Sequence, residues 1–245
     1  MFPTGKPGTS VESGNQFPVG NLGDDILLDC SFDPTPANGK KAADASVTWT
    51  KDGLTGVVYR YENHAPQLQD QNMFFRDMAQ VFPDAIAKGN ASLLLHSVVM
   101  EDAGTYLCSV VAPSSQGTVS IQLRVAAFSA PSFSKVNGTL TAVAPRWFPK
   151  PIVTWSTRDG SILKAQTSLS SNSTGVFRVR STLTDPAQLN VTCTIHNSLV
   201  KAISQATVTD TGILSKTFYI ISASPSSELP SRGLMMLPLL GRLLC

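Results

Sequence analysis

Asp102-Ala103-Gly104-Thr105-Tyr106-Leu107-Cys108 decides the fold when it is read with Cys30 and Trp49 upstream. Two facing β-sheets impose this layout. One cysteine sits on each sheet, a tryptophan packs on the bridge between them, and a tyrosine two residues before the second cysteine closes the corner into its strand. Cys30 and Cys108 therefore read as a disulfide, with Trp49, Asp102 and Tyr106 as core markers. Closing a loop of that length stabilises a domain by roughly 4–5 kcal/mol in the chain-entropy picture.

The flanking residues agree. Ile26, Leu28, Cys30 and Phe32 alternate onto one face, as a half-buried strand requires. Ala45 to Lys51 carries Val47 and Trp49 inward, and a turn at Gly53 leads to the strand Gly56-Val57-Val58-Tyr59-Arg60-Tyr61. That additional strand, with the long separation of the cysteines, selects a variable-type over a constant-type immunoglobulin sandwich. Gly89 to Leu95 reads as the last strand of the back sheet, and Thr105–Ala112 with Thr118–Val125 as the final hairpin of the front sheet. The arginine that usually pairs with the corner aspartate would fall on Met78. Arg76, two residues away, is a candidate substitute for pairing with Asp102.

A second module follows the short apolar connection Ala126-Ala127-Phe128-Ser129-Ala130-Pro131, which should hold the modules in a fixed arrangement better than a Gly/Ser linker would. Trp155 takes the core tryptophan position and Cys193 the place of the second cysteine, but the position facing Cys193 is Ala142 and the corner tyrosine is replaced by Val191. Cys193 is expected to be a buried free thiol against Ala142, which a cysteine tolerates as a small hydrophobe; pairing with Cys245 is the alternative. The chain is thus expected to be all-β, with two tandem immunoglobulin-like sandwiches, variable-type then constant-like. Its expected parts are a flexible segment over 1–19, a variable-type domain over 20–126, a linker over 127–131, a constant-like domain without its disulfide over 132–209, and a tail over 210–245.

At 245 residues and 42% hydrophobic content the chain can bury two cores. A net charge of +2 argues against nucleic acid or an anionic membrane as the main partner. A disulfide needs an oxidising compartment, and four sequons agree with one: Asn90-Ala91-Ser92, Asn137-Gly138-Thr139, Asn172-Ser173-Thr174 and Asn190-Val191-Thr192. The expected location is the external side of the plasma membrane or the secreted space. Residues 1–8 lack the apolar core of a leader. The apolar pieces Ile213-Leu214, Thr217–Ile221 and Gly233–Leu244 are interrupted by Lys216, Arg232, Arg242 and prolines before reaching the roughly 18–20 residues of a spanning helix. The expectation is a chain clipped at the front and altered at the back, with a cytosolic immunoglobulin protein as the alternative.

Catalysis needs convergent polar groups, and the sequence offers none. His64 and His96 read as surface residues, and Cys193 and His196 would point to opposite faces of a strand, which rules out chelation by that pair. There is no Gly-x-Ser-x-Gly elbow, phosphate loop or His-Glu-x-x-His. No enzyme activity, cofactor, metal or small-molecule substrate is expected. Surface recognition remains. Tyr59 and Tyr61 share one strand face and are the expected receptor face, packing inward being the alternative. The loop Ala112–Gly117 lies where binding loops usually are.

The runs Trp49-Thr50-Lys51-Asp52-Gly53, Val57 to Tyr61, Lys88-Gly89-Asn90-Ala91-Ser92-Leu93-Leu94-Leu95 and Asp102 to Cys108 together resemble the butyrophilin-related co-stimulatory and co-inhibitory ligands of T cells. Ala144-Pro145-Arg146-Trp147-Phe148-Pro149 before Trp155 is similar to the membrane-proximal domain of that family, and the likeness spans residues 20–209. The resemblance implies a cell-surface glycoprotein that binds a lymphocyte surface receptor and tunes T-cell activation and cytokine output with inhibitory sign. It also implies membrane anchoring. A homophilic adhesion or structural role is the competing expectation.

Overall fold

The computed structural model describes residues 11–184, 190–209 and 212–223. The first domain runs through β1 (Val11–Glu12), β2 (Val19–Asn21), β3 (Ile26–Leu28), β4 (Ser31–Phe32), β5 (Ser46–Lys51), β6 (Tyr59–Glu62), β7 (Ala65–Pro66), β8 (Ala79–Gln80), β9 (Leu93–Leu95), β10 (Gly104–Val111) and β11 (Gln116–Ala126). Its front sheet has six strands in the order β2-β11-β10-β5-β6-β7, and its back sheet is β3-β9-β8 with β1 and β4 paired beside it. β2 joins β11 in parallel while every other pair of these sheets is antiparallel.

Cys30 and Cys108 are bonded across the two sheets, with Cα atoms 6.5 Å apart. Trp49 stands opposite Cys108 in the ladder and is fully buried, its indole N–H donating to the Ala91 carbonyl at 2.9 Å. The Tyr106 hydroxyl donates to the Asp102 carbonyl at 2.9 Å, closing the corner into β10. Gly89 has a positive φ of 84°, and a Cβ there would meet the Phe32 carbonyl, so only glycine lets the chain enter the back sheet at this point.

The second domain comprises β12 (Ser132–Val136), β13 (Thr139–Trp147), β14 (Ile152–Thr157), β15 (Ile162–Leu163), β16 (Gln166–Ser171), β17 (Phe177–Thr184), β18 (Asn190–His196), β19 (Val200–Thr209) and β20 (Gly212–Ile221). They form a four-stranded sheet, β12-β13-β17-β16, facing a five-stranded one, β15-β14-β18-β19-β20. Trp155 is buried between them and donates to the Ser181 hydroxyl at 2.9 Å. Cys193 is a buried free thiol in the same core as Ala142 and Val191, and burial pushes its pKa up to about 12. Cys245, the alternative partner, lies outside the described residues.

Two domain limits differ from the expectation. The segment 1–19 is not uniformly a loose lead-in: Val11 and Glu12 pair with Phe32 and Ser31, and the Gln16 and Pro18 carbonyls accept from Gln122 and Arg124 on β11. The second domain does not end at 209, because β20 pairs with β19 along its whole length, from Gly212 opposite Thr209 to Ile221 opposite Val200. Burying Ile213 against the core and bonding the Thr217 hydroxyl to Ser204 at 2.9 Å hold it there.

The domain junction is bonded from both sides. Ala127 and Phe148 exchange backbone hydrogen bonds of 3.1 and 2.8 Å, and the Phe128 N–H donates to Asn21 Oδ1 at 2.9 Å. Arg146 Nη2 donates to the Leu22 carbonyl at 2.7 Å, while the Arg124 guanidinium donates to the Phe17 and Ser222 carbonyls. Phe128 also packs on Tyr219, with ring centroids 5.2 Å apart.

Candidate interaction surface

The front sheet of the first domain presents one face to the core and one outward, and cross-strand register decides which residue goes where. Tyr59 lies opposite Trp49 and Tyr61 opposite Val47, both inward-facing positions. Residues directly opposite in a ladder share a face. Tyr59 and Tyr61 are accordingly buried, with 6% and 3% of their surface exposed, and are core residues rather than a receptor face. Burial also raises the pKa of the Tyr59 phenol. The alternating charges at Arg60 and Glu62 were the sequence signal for this orientation.

The outward face consists of the intervening residues. Thr48 and Thr50 on β5, Arg60 on β6, Leu107 and Ser109 on β10, and Thr118 and Ser120 on β11 form it. They line up in cross-strand rows: Ser120–Leu107–Thr50, then Thr118–Ser109–Thr48–Arg60. Ser109 and Thr118 share a hydroxyl hydrogen bond of 2.8 Å, and Arg60 is held by Asp70 at 2.9 Å. At the end of β10, Val111 is 59% exposed beside the loop 112–115, where the Ser114 hydroxyl donates to the Asp33 carbonyl at 2.9 Å. The result is a flat surface of small hydroxyl side chains around Leu107, edged by one apolar residue and one ion pair.

Arg76 makes no ion pair with Asp102 among the described residues. Asp102 instead accepts from the Val99 N–H at 2.8 Å, and the cation near it is Lys51, whose ammonium donates to the Glu101 carbonyl and stands 5.4 Å from the Tyr106 ring centroid. Burial lowers the Lys51 pKa, against the pull of Asp102 and Glu101. Arg76 is exposed in the turn that precedes β8. His64 and His96 sit at the surface against Asp44 (3.1 Å) and Asp25 (2.8 Å).

The four sequon asparagines, Asn90, Asn137, Asn172 and Asn190, are all exposed. None lies on the six-stranded front sheet. Asn90 precedes β9 on the back sheet, Asn137 and Asn172 occupy turns of the second domain, and Asn190 opens β18. No group of three or more metal-ligating side chains occurs among the described residues, and no helix among them is long and apolar enough to cross a membrane.

A disulfide-stapled sandwich carrying a tyrosine corner, followed by a second sandwich, defines a tandem immunoglobulin-type chain. Residues 16–126 match the immunoglobulin V-set domain, and residues 136–204 match the Ig-C domain of the butyrophilin subfamily 3 member A2-like type. The chain belongs to the immunoglobulin-superfamily family that includes V-set domain-containing T-cell activation inhibitor 1 and the butyrophilins. It is 34% identical to that inhibitor of Homo sapiens over 80% of this chain and 71% of the relative, and 32% identical to the Mus musculus protein over 85% and 76%. The crystal structure of bovine butyrophilin shares the fold, with a TM-score of 0.53 and 22% identity over 87% of this chain and 97% of that one. Chains of this family are not enzymes, and neither is this one.

Proposed function

We propose that the chain is an extracellular regulator of T-cell activation that engages a protein receptor on lymphocytes and lowers their response. The outward face of the front sheet is the receptor-binding surface. The names of its relatives support the regulatory role and its sign. The observation that carries the surface is the distribution of sequons, which leaves the Leu107 face bare while the back sheet and second domain carry all four. We propose Asn90, Asn137, Asn172 and Asn190 as the glycosylated residues, in keeping with an exterior location. A flat face of small side chains around an apolar centre suits a protein partner, because it can desolvate fully without burying unpaired charge.

The test is binding of the secreted two-domain chain to activated T cells, by flow cytometry, beside a proliferation assay. Leu107→Asp, placing a charge at the centre of the face, should reduce binding at least about tenfold and relieve inhibition, with an unchanged melting temperature. Undiminished binding by folded Leu107→Asp would show that the receptor docks elsewhere.

A further inference from the structure

Among the described residues, the strand β20 carries an unpaired edge. Of the devices that natural sheets use to blunt an edge, its side chains supply only one charge. There is no proline, no register shift along the ladder with β19, and a single charge, Lys216. Leu214, Phe218 and Ile220 stand 69%, 47% and 54% exposed on one face, and Tyr219 and Ile221 each 41% exposed on the other. Among the described residues no strand pairs with the outer side of β20.

Backbone geometry states which groups that edge offers. The Ser222 N–H donates to the Leu199 carbonyl at 2.9 Å, one step beyond the pair Ile221–Val200. An antiparallel ladder bonds every second residue to a given neighbour. Gly212, Leu214, Lys216, Phe218 and Ile220 therefore spend their N–H and carbonyl groups on β19. Ile213, Ser215, Thr217, Tyr219 and Ile221 turn theirs outward.

We infer that this edge is the seat of a second copy of the chain, with two β20 strands pairing antiparallel about a two-fold axis at Thr217. The two five-stranded sheets then join into one continuous sheet. A strand can pair with its own copy only if outward-turned residues face outward-turned ones, so the axis must fall on a residue and not between two. The midpoint of Gly212–Ile221 falls between Lys216 and Thr217; an axis on Thr217 pairs all five outward-turned residues, whereas one on Lys216 leaves Ile221 without a partner in the strand. In that register Ile213 faces Ile221 of the second copy, Leu214 faces Ile220, and Ser215 faces Tyr219. Lys216 faces Phe218 of the second copy, repeating the contact it makes with Phe218 in its own chain, where the ammonium lies 4.6 Å from the ring centroid. A register centred on Lys216 would oppose like charges. A one-strand interface lies at or below about 1,200 Å², the low end of specific interfaces, so the dimer dissociates on dilution.

The test is sedimentation velocity of the full chain, exported through a secretory leader, from about 1 to about 100 µM. A concentration-dependent dimer is expected. Thr217→Pro removes the central outward N–H, together with the hydroxyl bond to Ser204, and should weaken it at least about tenfold, while Leu107→Asp on the front sheet should leave it unchanged. In a Cys245→Ser background, Thr217→Cys should give a covalent dimer on mild oxidation and Ser215→Cys should not, because the Ser215 pair lies about 13 Å apart, four residues along the ladder. A full chain that stays monomeric throughout would overturn the inference, as would a dimer indifferent to Thr217→Pro. Dimerisation seen only after truncation at Ala223 would assign the edge to the chain's own last residues and overturn it equally.

Discussion

Tyr59 lies directly opposite Trp49 on the neighbouring strand, and that pairing turns the Tyr59 ring into the core that also holds the Cys30–Cys108 bridge. Truncating it empties a packed site. Tyr59→Ala and Tyr61→Ala should each destabilise the first domain by about 3–5 kcal/mol, as other buried aromatic truncations do. Thr48→Ala on the outward face should cost no more than about 0.5 kcal/mol. Urea titration of the three variants checks the contrast, and equal midpoints for Tyr59→Ala and the unmodified chain would return that side chain to the surface.

Replacing both Cys30 and Cys108 by alanine should lower the stability of the first domain by about 4–5 kcal/mol, since the bridge spans 78 residues. The second domain has its own core and no bridge. Its transition in denaturant should stay where it is, so the variant should unfold in two separated steps followed by tryptophan fluorescence.

Cys193 provides a pH signature. Its folded-state pKa of about 12 stands above the ordinary value of 9.0 because the thiolate would be buried. A raised value means stability is complete below pH 9 and falls as pH rises toward 12, since the unfolded chain ionises first. The loss approaches about 1.4 kcal/mol per pH unit within that window. Cys193→Ala should show a shallower alkaline decline by that amount, measured by chemical denaturation between pH 9 and 11. In the native state the thiol should resist alkylation at neutral pH.

The domain junction depends on a few directional bonds. Arg146→Ala deletes the donor to the Leu22 carbonyl without touching either core. The expected result is a larger radius of gyration and a broader distance distribution in small-angle scattering, with the melting of each domain unchanged. Identical scattering from both proteins would place the rigidity in the Ala127–Phe148 backbone pair instead.

How far each feature was legible follows from how local its cause is. The tyrosine corner is written within seven residues, and its hydrogen bond from Tyr106 to Asp102 is made where the motif places it. The orientation of Tyr59 and Tyr61 was legible too, in the charges of Arg60 and Glu62, but period two alone assigns residues to two faces without saying which is inside. Lys51 standing near Asp102 in place of Arg76 was not legible, because Lys51 ends β5, Arg76 lies in the turn before β8, and only the packed corner brings one of them close. β20 was hidden for a different reason: Lys216 interrupts its apolar run, and a strand with both faces half-exposed has no clean alternation until β19 lies beside it.

By itself the sequence determined the sandwich class, the bridge, the second domain's missing cystine and the four candidate sugar sites, because each is carried by residue identity at short or fixed spacing. Only the tertiary structure decided which face of the front sheet is turned outward, where the second domain ends and which backbone groups at its edge turn away from β19. Those outcomes depend on the register between strands far apart in the chain, and one residue of slip would exchange inside for outside.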